Sequence, residues 1–536
     1  LKLPRFALLI PNTVVLFAFG WLIAFTGCQT DLKPAGQSPR FTLLDATQTG
    51  INFRNDVPYT DSFNCYLFRN FYNGGGVGIG DINNDGLPDI FLCGNMTSNR
   101  LYLNRGNFKF EDITEKAGLG ARKVWTAGVA FADVNGDGRL DIYTCKSGPP
   151  GGENRHNELF INNGDAEKNN GIPTFTEQSA AWHLDNRGLS THAAFFDYDR
   201  DGDLDCYLLN NSLRSVGGYD YRPGQRNTPD PEGGNKLLRN DGPPNPLKGG
   251  SGGFTDVTRQ AGTYSSAIGF GLGVTVGDYD RDGWQDLYIS NDFFERDYLY
   301  HNNGDGTFSE VLEQAIPEIS KGSMGADMAD LNNDGFPEIF VTEMTPPDDA
   351  RYKTKTAFDD WNTYQTMLET GYHRQFGRNV LQLNHGERLT VDGRRLTVDG
   401  GRETGNIKTS SLPVPRPPST VYRQPSTVST VFSEIGRQAG VWATDWSWGA
   451  LLADFDNDGW KDIFVANGIG KDLLDQDYLN FYSDAAAVSK VLREHPGQGI
   501  KTLIDGMPSE PIANYLFQNQ GDLTFRNQAA AWGLAQ

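Results

Sequence analysis

A nine-residue pattern, D-x-[DN]-x-D-G-x-x-[DE], occurs six times in this chain. The copies begin at Asp81, Asp133, Asp197, Asp278, Asp330 and Asp454 and read DINNDGLPD, DVNGDGRLD, DYDRDGDLD, DYDRDGWQD, DLNNDGFPE and DFDNDGWKD. A single copy is only a good turn, because Asp, Asn and Gly each favour turns. The surroundings repeat as well. A small-residue apolar run precedes each loop, such as GGGVGIG or SWGALLA, and a β-rich run follows, such as DIFLCGN or DLYISND. Next comes an N-x-L-[YF]-x-N-x-G motif, clear at Asn99–Gly106, Asn157–Gly164 and Asn514–Gly521. Last comes F-x-[DE]-x-T-x-x-A-G, as in Phe110–Gly118 and Phe254–Gly262. Four short strands separated by Gly, Asn and Asp turns make one four-stranded blade. The shortest steps between copies are about 50 residues, the period of a propeller blade rather than of a solenoid coil. The expected fold class is therefore all-β, a β-propeller of four-stranded blades with small helical insertions.

The loops place oxygen donors at positions 1, 3, 5 and 9 around a glycine at position 6. EF-hand loops space calcium ligands in the same way over their first nine positions. The candidate ligands are Asp81, Asn83, Asp85 and Asp89; Asp133, Asn135, Asp137 and Asp141; and Asp197, Asp199, Asp201 and Asp205. The later loops add Asp278, Asp280, Asp282 and Asp286; Asp330, Asn332, Asp334 and Glu338; and Asp454, Asp456, Asp458 and Asp462. Flanking β-branched and aromatic residues exclude the helices of a true EF-hand. Calcium takes six to eight hard oxygens in a flexible shell, whereas magnesium demands a near-ideal octahedron. Up to six calcium ions are expected, in a structural role, since carboxylates crowded into one turn repel each other without a cation. Net charge is −21, and the loop carboxylates alone match that excess. With no basic stripe to neutralise phosphates, nucleic acid is not an expected partner.

These units resemble FG-GAP/VCBS repeats, the calcium-loop blades also found in integrin α-chain propellers. The run ATDWSWGALLADFDNDGWKDIFVANG, from Ala443 to Gly468, is similar to bacterial propeller proteins that usually end in an ASPIC/UnbV domain. The resemblance covers roughly residues 41 to 536. It implies fold strongly and activity weakly.

Residues 1–28 read as a targeting segment. Lys2 and Arg5 precede an apolar run that ends in F-T-G-C. This resembles a bacterial lipoprotein signal in which Cys28 becomes the lipidated first residue; an uncleaved membrane anchor is the alternative. A polar linker, 29–40, leads to the propeller at 41–536. Both readings put the propeller outside the cytoplasm, with the lipoprotein reading giving a bacterial cell-envelope location and a membrane anchor at Cys28. Cys65, Cys93, Cys145 and Cys206 read as free and buried rather than bridged.

Closing strands are expected at Phe41, Phe110, Phe175, Phe254, Phe308, Phe432 and Phe525, one more than the loops. A ring closed by strand exchange would pair the first with the last segment. The expectation is a seven-bladed ring whose last blade is incomplete in this chain, followed in the resembled family by an ASPIC/UnbV domain. Four insertions interrupt the repeats: Tyr219 to Gly234, Thr345 to Arg378, Gly470 to Asn514, and a Pro-rich tandem expansion over about 387–431 that reads as disordered.

No nucleophile elbow, P-loop or dinucleotide fingerprint is present, and none of the seven histidines has metal-ligand spacing. The expectation is a binding protein, not an enzyme, with an extracellular protein or glycan as partner. The competing class is an enzyme acting on polysaccharide, with His183 and His192 as the residues to test. Trp442, Trp446 and Trp448, beside Asp445, are the best candidate ligand surface if they face the channel; packing between blades is the alternative.

Overall fold

The computed structural model describes residues 39–535 apart from 121–124, 149–154, 213–222, 231–232, 245–251, 265, 294, 357–359, 391–394 and 398–427. The expected signal segment, Cys28 and most of the linker lie outside the described residues, as does much of the Pro-rich expansion. Six antiparallel sheets carry the repeat, each with four strands in sequence order. Blade 1 is Val77–Gly80, Asp89–Leu92, Arg100–Asn104 and Phe110–Asp112. Blade 2 is Thr126–Ala132, Asp141–Lys146, Glu158–Asn162 and Phe175–Glu177; blade 3 is Leu189–Phe196, Asp205–Asn211, Lys236–Asn240 and Phe254–Asp256. Blade 4 is Gly271–Gly277, Asp286–Asn291, Tyr298–Asn302 and Phe308–Glu310. Blade 5 is Ala326–Ala329, Glu338–Val341, Val380–Thr390 and Val428–Glu434, with Arg395–Thr397 added on its third strand. Blade 6 is Ser447–Ala453, Asp462–Asn467, Tyr515–Asn519 and Phe525–Asn527.

The first strands of successive blades lie side by side from blade 1 to blade 6. They crowd, which explains their small residues: a Cβ on Gly128 would sit 2.3 Å from the Thr191 carbonyl oxygen in the next blade. The second strands are covered on both faces, so Asp141–Lys146 and Asp286–Asn291 are buried at every residue. The core is therefore divided into clusters between blades. Phe91 and Leu101 of blade 1 meet Val129 and Ile142 of blade 2, and Tyr143 and Leu159 meet Cys206 and Leu208 of blade 3. Cys93, Cys145 and Cys206 are buried in these clusters; with Cys65 they are unpaired.

Six of the seven expected closing strands form. The segment at Phe41 does not: among the described residues it has no β-partner, and Ala46–Thr49 is a helical turn capped by Asp45. A strand needs a neighbouring strand, and no third strand stands beside this one. Its position is nonetheless that of a closing strand. The Phe41 N–H donates to the Trp532 carbonyl, as the Phe175, Phe254 and Phe308 N–H groups donate to the preceding blades at Ala117, Trp182 and Ala261. On its other side the Lys109 ammonium of blade 1 donates to the Gln48 carbonyl. Residues 41–50 thus bridge blades 6 and 1 at the perimeter.

Inside that bridge, among the described residues, no strand covers the first strands of blades 1 and 6. Val77 and Ile79 on the first strand of blade 1 are 57% and 65% exposed, and Leu451 of blade 6 is 51% exposed. Val129, which holds the place of Val77 in blade 2, is 5% exposed.

Candidate metal centres

Each nine-residue loop is the hairpin turn between the first and second strands of its blade. Ala132 pairs with Asp141 and Gly277 with Asp286, so the position 9 carboxylate opens the second strand. Position 4 takes a left-handed conformation in every loop, from Asn84 (φ 59°) to Asn457 (φ 58°), and the glycine at position 6 does the same. Two left-handed residues two apart turn the chain back on its first residue.

The turn is tied by its own carboxylates. In the second loop Asp133 accepts from the Asp137 and Gly138 N–H groups at 3.0 and 2.7 Å, and Asp137 accepts from the Arg139 N–H at 3.0 Å. Position 9 links the loop to the blade: Asp141 accepts from Val134 N in the loop at 3.1 Å and from Asn162 N on the third strand at 2.8 Å. The same pair of bonds recurs at Asp89, Asp205, Asp286 and Asp462.

Carboxylates at positions 1, 3 and 9 converge wherever position 3 is Asp. Asp197, Asp199 and Asp205 present oxygens within 4.8 Å of one another, as do Asp278, Asp280 and Asp286, and Asp454, Asp456 and Asp462. Loops 1, 2 and 5 have Asn83, Asn135 and Asn332 at position 3. Position 5 turns toward the backbone of position 7 and stands outside these triplets. At such separations like charges repel by roughly 3 kcal/mol per pair at an effective dielectric of about 20.

The position 9 groups are buried, and burial pushes their pKa up: to about 6 for Asp89, about 7 for Asp141, about 8 for Asp205, about 7 for Asp286, about 8 for Glu338 and about 6 for Asp462. The backbone donors oppose this rise and the neighbouring carboxylates add to it. Asp199 Oδ1 is a buried acceptor with no hydrogen-bond partner among the described residues. Hard oxygens, crowded negative charge and an orphaned acceptor are what a calcium ion would satisfy, so the residues present fit it.

Two features escaped the sequence reading. The first is the second Asn of the N-x-L-[YF]-x-N-x-G motif, quoted without a role. Asn162 Nδ2 donates to Leu140 O in its own loop (3.2 Å) and to Ile82 O in the loop of the preceding blade (2.9 Å). Asn240, Asn302, Asn384 and Asn519 repeat this cross-blade bond to Val134, Tyr198, Tyr279 and Leu331. The loops are thereby joined around one face. Asn104 of blade 1 donates to Pro88 in its own loop, and among the described residues it makes no bond to blade 6. The second is His301, on the third strand of blade 4. Its Nδ1 lies 3.5 Å from both Asp280 and Asp286. Burial pulls its pKa down, but the facing carboxylates outweigh this and raise it. No sequence spacing links it to the loop; only the fold does.

The tryptophan cluster divides. Trp446 and Trp448 line a cavity at the opposite end of the blades from the loops, whereas Trp442 packs under the Arg437 guanidinium. His183 stands in a polar groove with Arg155 and Lys236, and His192 is on the first strand of blade 3 with its pKa lowered by burial.

A sequence profile described as an FG-GAP-like repeat matches residues 81–144 and 278–341, each running from one metal loop into the second strand of the next blade. The chain carries FG-GAP repeats. Cartilage acidic protein 1 of Xenopus tropicalis is 27% identical over 252 residues, 46% of this chain and 34% of that protein. Integrin alpha-7 of Mus musculus is 38% identical over 84 residues, 14% of this chain and 7% of the integrin. The chain thus spans about a third of the first relative and under a tenth of the second. An Agrocybe aegerita lectin structure aligns over 86% of this chain and 83% of its own with a TM-score of 0.36 and 14% identity, too loose to carry an argument. Among the described residues no helix is long and apolar enough to cross a membrane.

Proposed function

We propose that this FG-GAP propeller is an exported, calcium-stapled binding protein, held to a bacterial membrane by lipid on Cys28, that engages an extracellular protein or glycan. The observation that carries the reading is the convergence of buried position 9 carboxylates with positions 1 and 3 in loops already closed by their own backbone. Calcium would be bound by the oxygen donors at positions 1, 3, 5 and 9 of each loop and would tie the first strand of a blade to its second. Extracellular calcium modules bind at roughly 10⁻⁴–10⁻³ M. At 10 mM calcium each such site stabilises by about 1.4–2.7 kcal/mol through mass action. Calorimetric titration of residues 29–536, with thermal melts in calcium and in chelator, tests this. About six sites and a raised melting temperature support it. A melt indifferent to calcium overturns the metal assignment. Acyl-chain mass on a peptide beginning at Cys28 tests the anchor.

The same reading gives the ring seven sectors, the last lying between blades 6 and 1. Its support is the perimeter bridge at Phe41, the exposed Val77, Ile79 and Leu451, and the Asn104 clamp without a cross-blade partner. Ile79→Asp should then change stability by no more than about 0.5 kcal/mol, as at other surfaces. Val129→Asp, in the matching strand of blade 2, should cost about 3 kcal/mol or more. Equal losses would refute the open sector.

A further inference from the structure

The face opposite the metal loops carries a cavity of about 600 Å³. Leu189, Phe270, Met324 and Trp446 line it from the starts of the first strands of blades 3 to 6. Two segments cover it. One is residues 65–73, the other the helical stretch that begins at Gly470. Their contact is specific: the Tyr66 ring stacks on Tyr482 at 4.9 Å and 6°, and its hydroxyl meets that of Tyr478.

The lining is mostly aromatic and aliphatic, and it holds one cation, Arg69, and one anion, Asp292. The Arg69 guanidinium lies 4.3 Å from the Phe293 ring and 5.0 Å from the Phe270 ring, and its charge acts on the buried Asp292. Two neutral donors remain. Asn70 Nδ2 and Trp446 Nε1 are buried and have no hydrogen-bond partner among the described residues, and both side chains belong to the lining. Asn70 is 3% exposed and Trp446 9%. A buried donor without an acceptor is unfavourable unless something else supplies one. Phe293, beside the cavity, is held at φ 64°, where a bulky residue is strained.

Small-molecule sites are concave, largely apolar, a few hundred Å³ in volume, and carry a few placed polar groups. We propose that this cavity binds a small neutral molecule, mainly apolar and ring-bearing, whose oxygen acceptors meet Asn70 Nδ2 and Trp446 Nε1. The aromatic walls supply the area, the two donors fix orientation, and the lining's one cation and one anion, Arg69 and Asp292, cancel in formal charge. The site lies apart from the metal loops and does not depend on what they bind.

Prodan, a neutral naphthalene ketone with solvatochromic emission, is the probe, titrated into the full chain in calcium. Saturable one-to-one binding with blue-shifted emission is expected. Trp446→Phe, which keeps the ring and removes the donor, should weaken binding about tenfold. Leu479→Gln should also weaken it; Leu479 is 40% exposed on its helix, so this variant carries the test if Trp446→Phe does not fold. Ile79→Thr, at the open edge of blade 1, should bind as the parent does. Absence of saturable binding overturns the proposal, as does binding that Ile79→Thr abolishes and the cavity variants leave intact.

Discussion

The cross-blade asparagines predict that damage to one blade is felt in the loop of the blade before it. Asn162→Ala is the sharpest case. It removes the bonds from Nδ2 to Ile82 O (2.9 Å) and Leu140 O (3.2 Å), and the bond Oδ1 accepts from Gly164 N (3.0 Å). Asn162 is 2% exposed and Ile82 1%, so water does not replace these partners without local opening. Each buried group left unpaired costs about 1–3 kcal/mol, giving roughly 3–9 kcal/mol for the three. About 2 kcal/mol of that falls on Ile82 O, the one partner in loop 81–89. Hydrogen–deuterium exchange reads this locally. A 2 kcal/mol easier opening speeds exchange about 30-fold, since each 1.4 kcal/mol is a factor of ten. The Asp85 and Gly86 amides, which bond to Asp81, are the reporters. Asn104→Ala is the internal control, because its clamp stays within blade 1 among the described residues. Faster exchange confined to 133–141 in Asn162→Ala, with 81–89 unchanged, would refute the coupling.

Glu343→Gln should flatten the pH dependence of stability. Burial pushes Glu343 up to about 7 from 4.5, so the folded state binds its proton more readily than the unfolded one. Stability is then lost as pH rises from about 4.5 to 7, by about 3 kcal/mol in full. Melts at pH 5 and pH 8 should differ less in the variant; an unchanged difference would remove Glu343 as the cause. Ellman's reagent should find at most one reactive thiol among the four propeller cysteines in the native protein, since only Cys65 is partly exposed and burial holds its pKa at about 11. All four should react in denaturant. Arg351→Ala should loosen the cover of the face cavity, because Arg351 joins the helix Asp349–Lys355 to Asp445 at 2.6 Å and to Asp472 at 3.4 Å. A loss of roughly 1–3 kcal/mol is expected for a partly buried pair. Limited proteolysis across 470–514 should speed up, and an unchanged digest would mean the cover is held elsewhere.

Blades and loops were legible because both are written locally. A hairpin turn with Asp at its first and ninth positions carries its carboxylates, its left-handed residues and its strand register within a dozen residues. Cross-blade features were not, because no local pattern sets which segments become neighbours. Asn162 reads as a turn residue until Ile82 is seen beside it, and His301 as a strand residue until Asp280 and Asp286 face it. Phe41 shows the reverse: its sequence is that of a closing strand, its place in the ring agrees, and yet it does not pair, since a strand is defined by its neighbour. Residues 54–73 carry no repeat signature at all. Their position follows from aromatic packing of Phe63, Phe68 and Phe71 on Trp125.

The two faces of the ring bear on how calcium would act. The metal loops and the cavity lie at opposite ends of the same strands: Asp286 opens the second strand of blade 4, and Asn291 closes it beside Asp292 at the cavity. A cation at the loop touches nothing in the cavity, so any calcium dependence of ligand binding has to pass through the rigidity of the blades. In that case calcium raises the fraction of closed, binding-competent ring, and affinity scales with that fraction rather than with contacts to the ion. Where the melting transition is well above the assay temperature in chelator, that fraction is already near one. Prodan binding should then be the same with and without calcium at low temperature and diverge only on approach to the chelator melt. A calcium effect on affinity far below that melt would show direct coupling between the faces, for which the strands offer no two-state element.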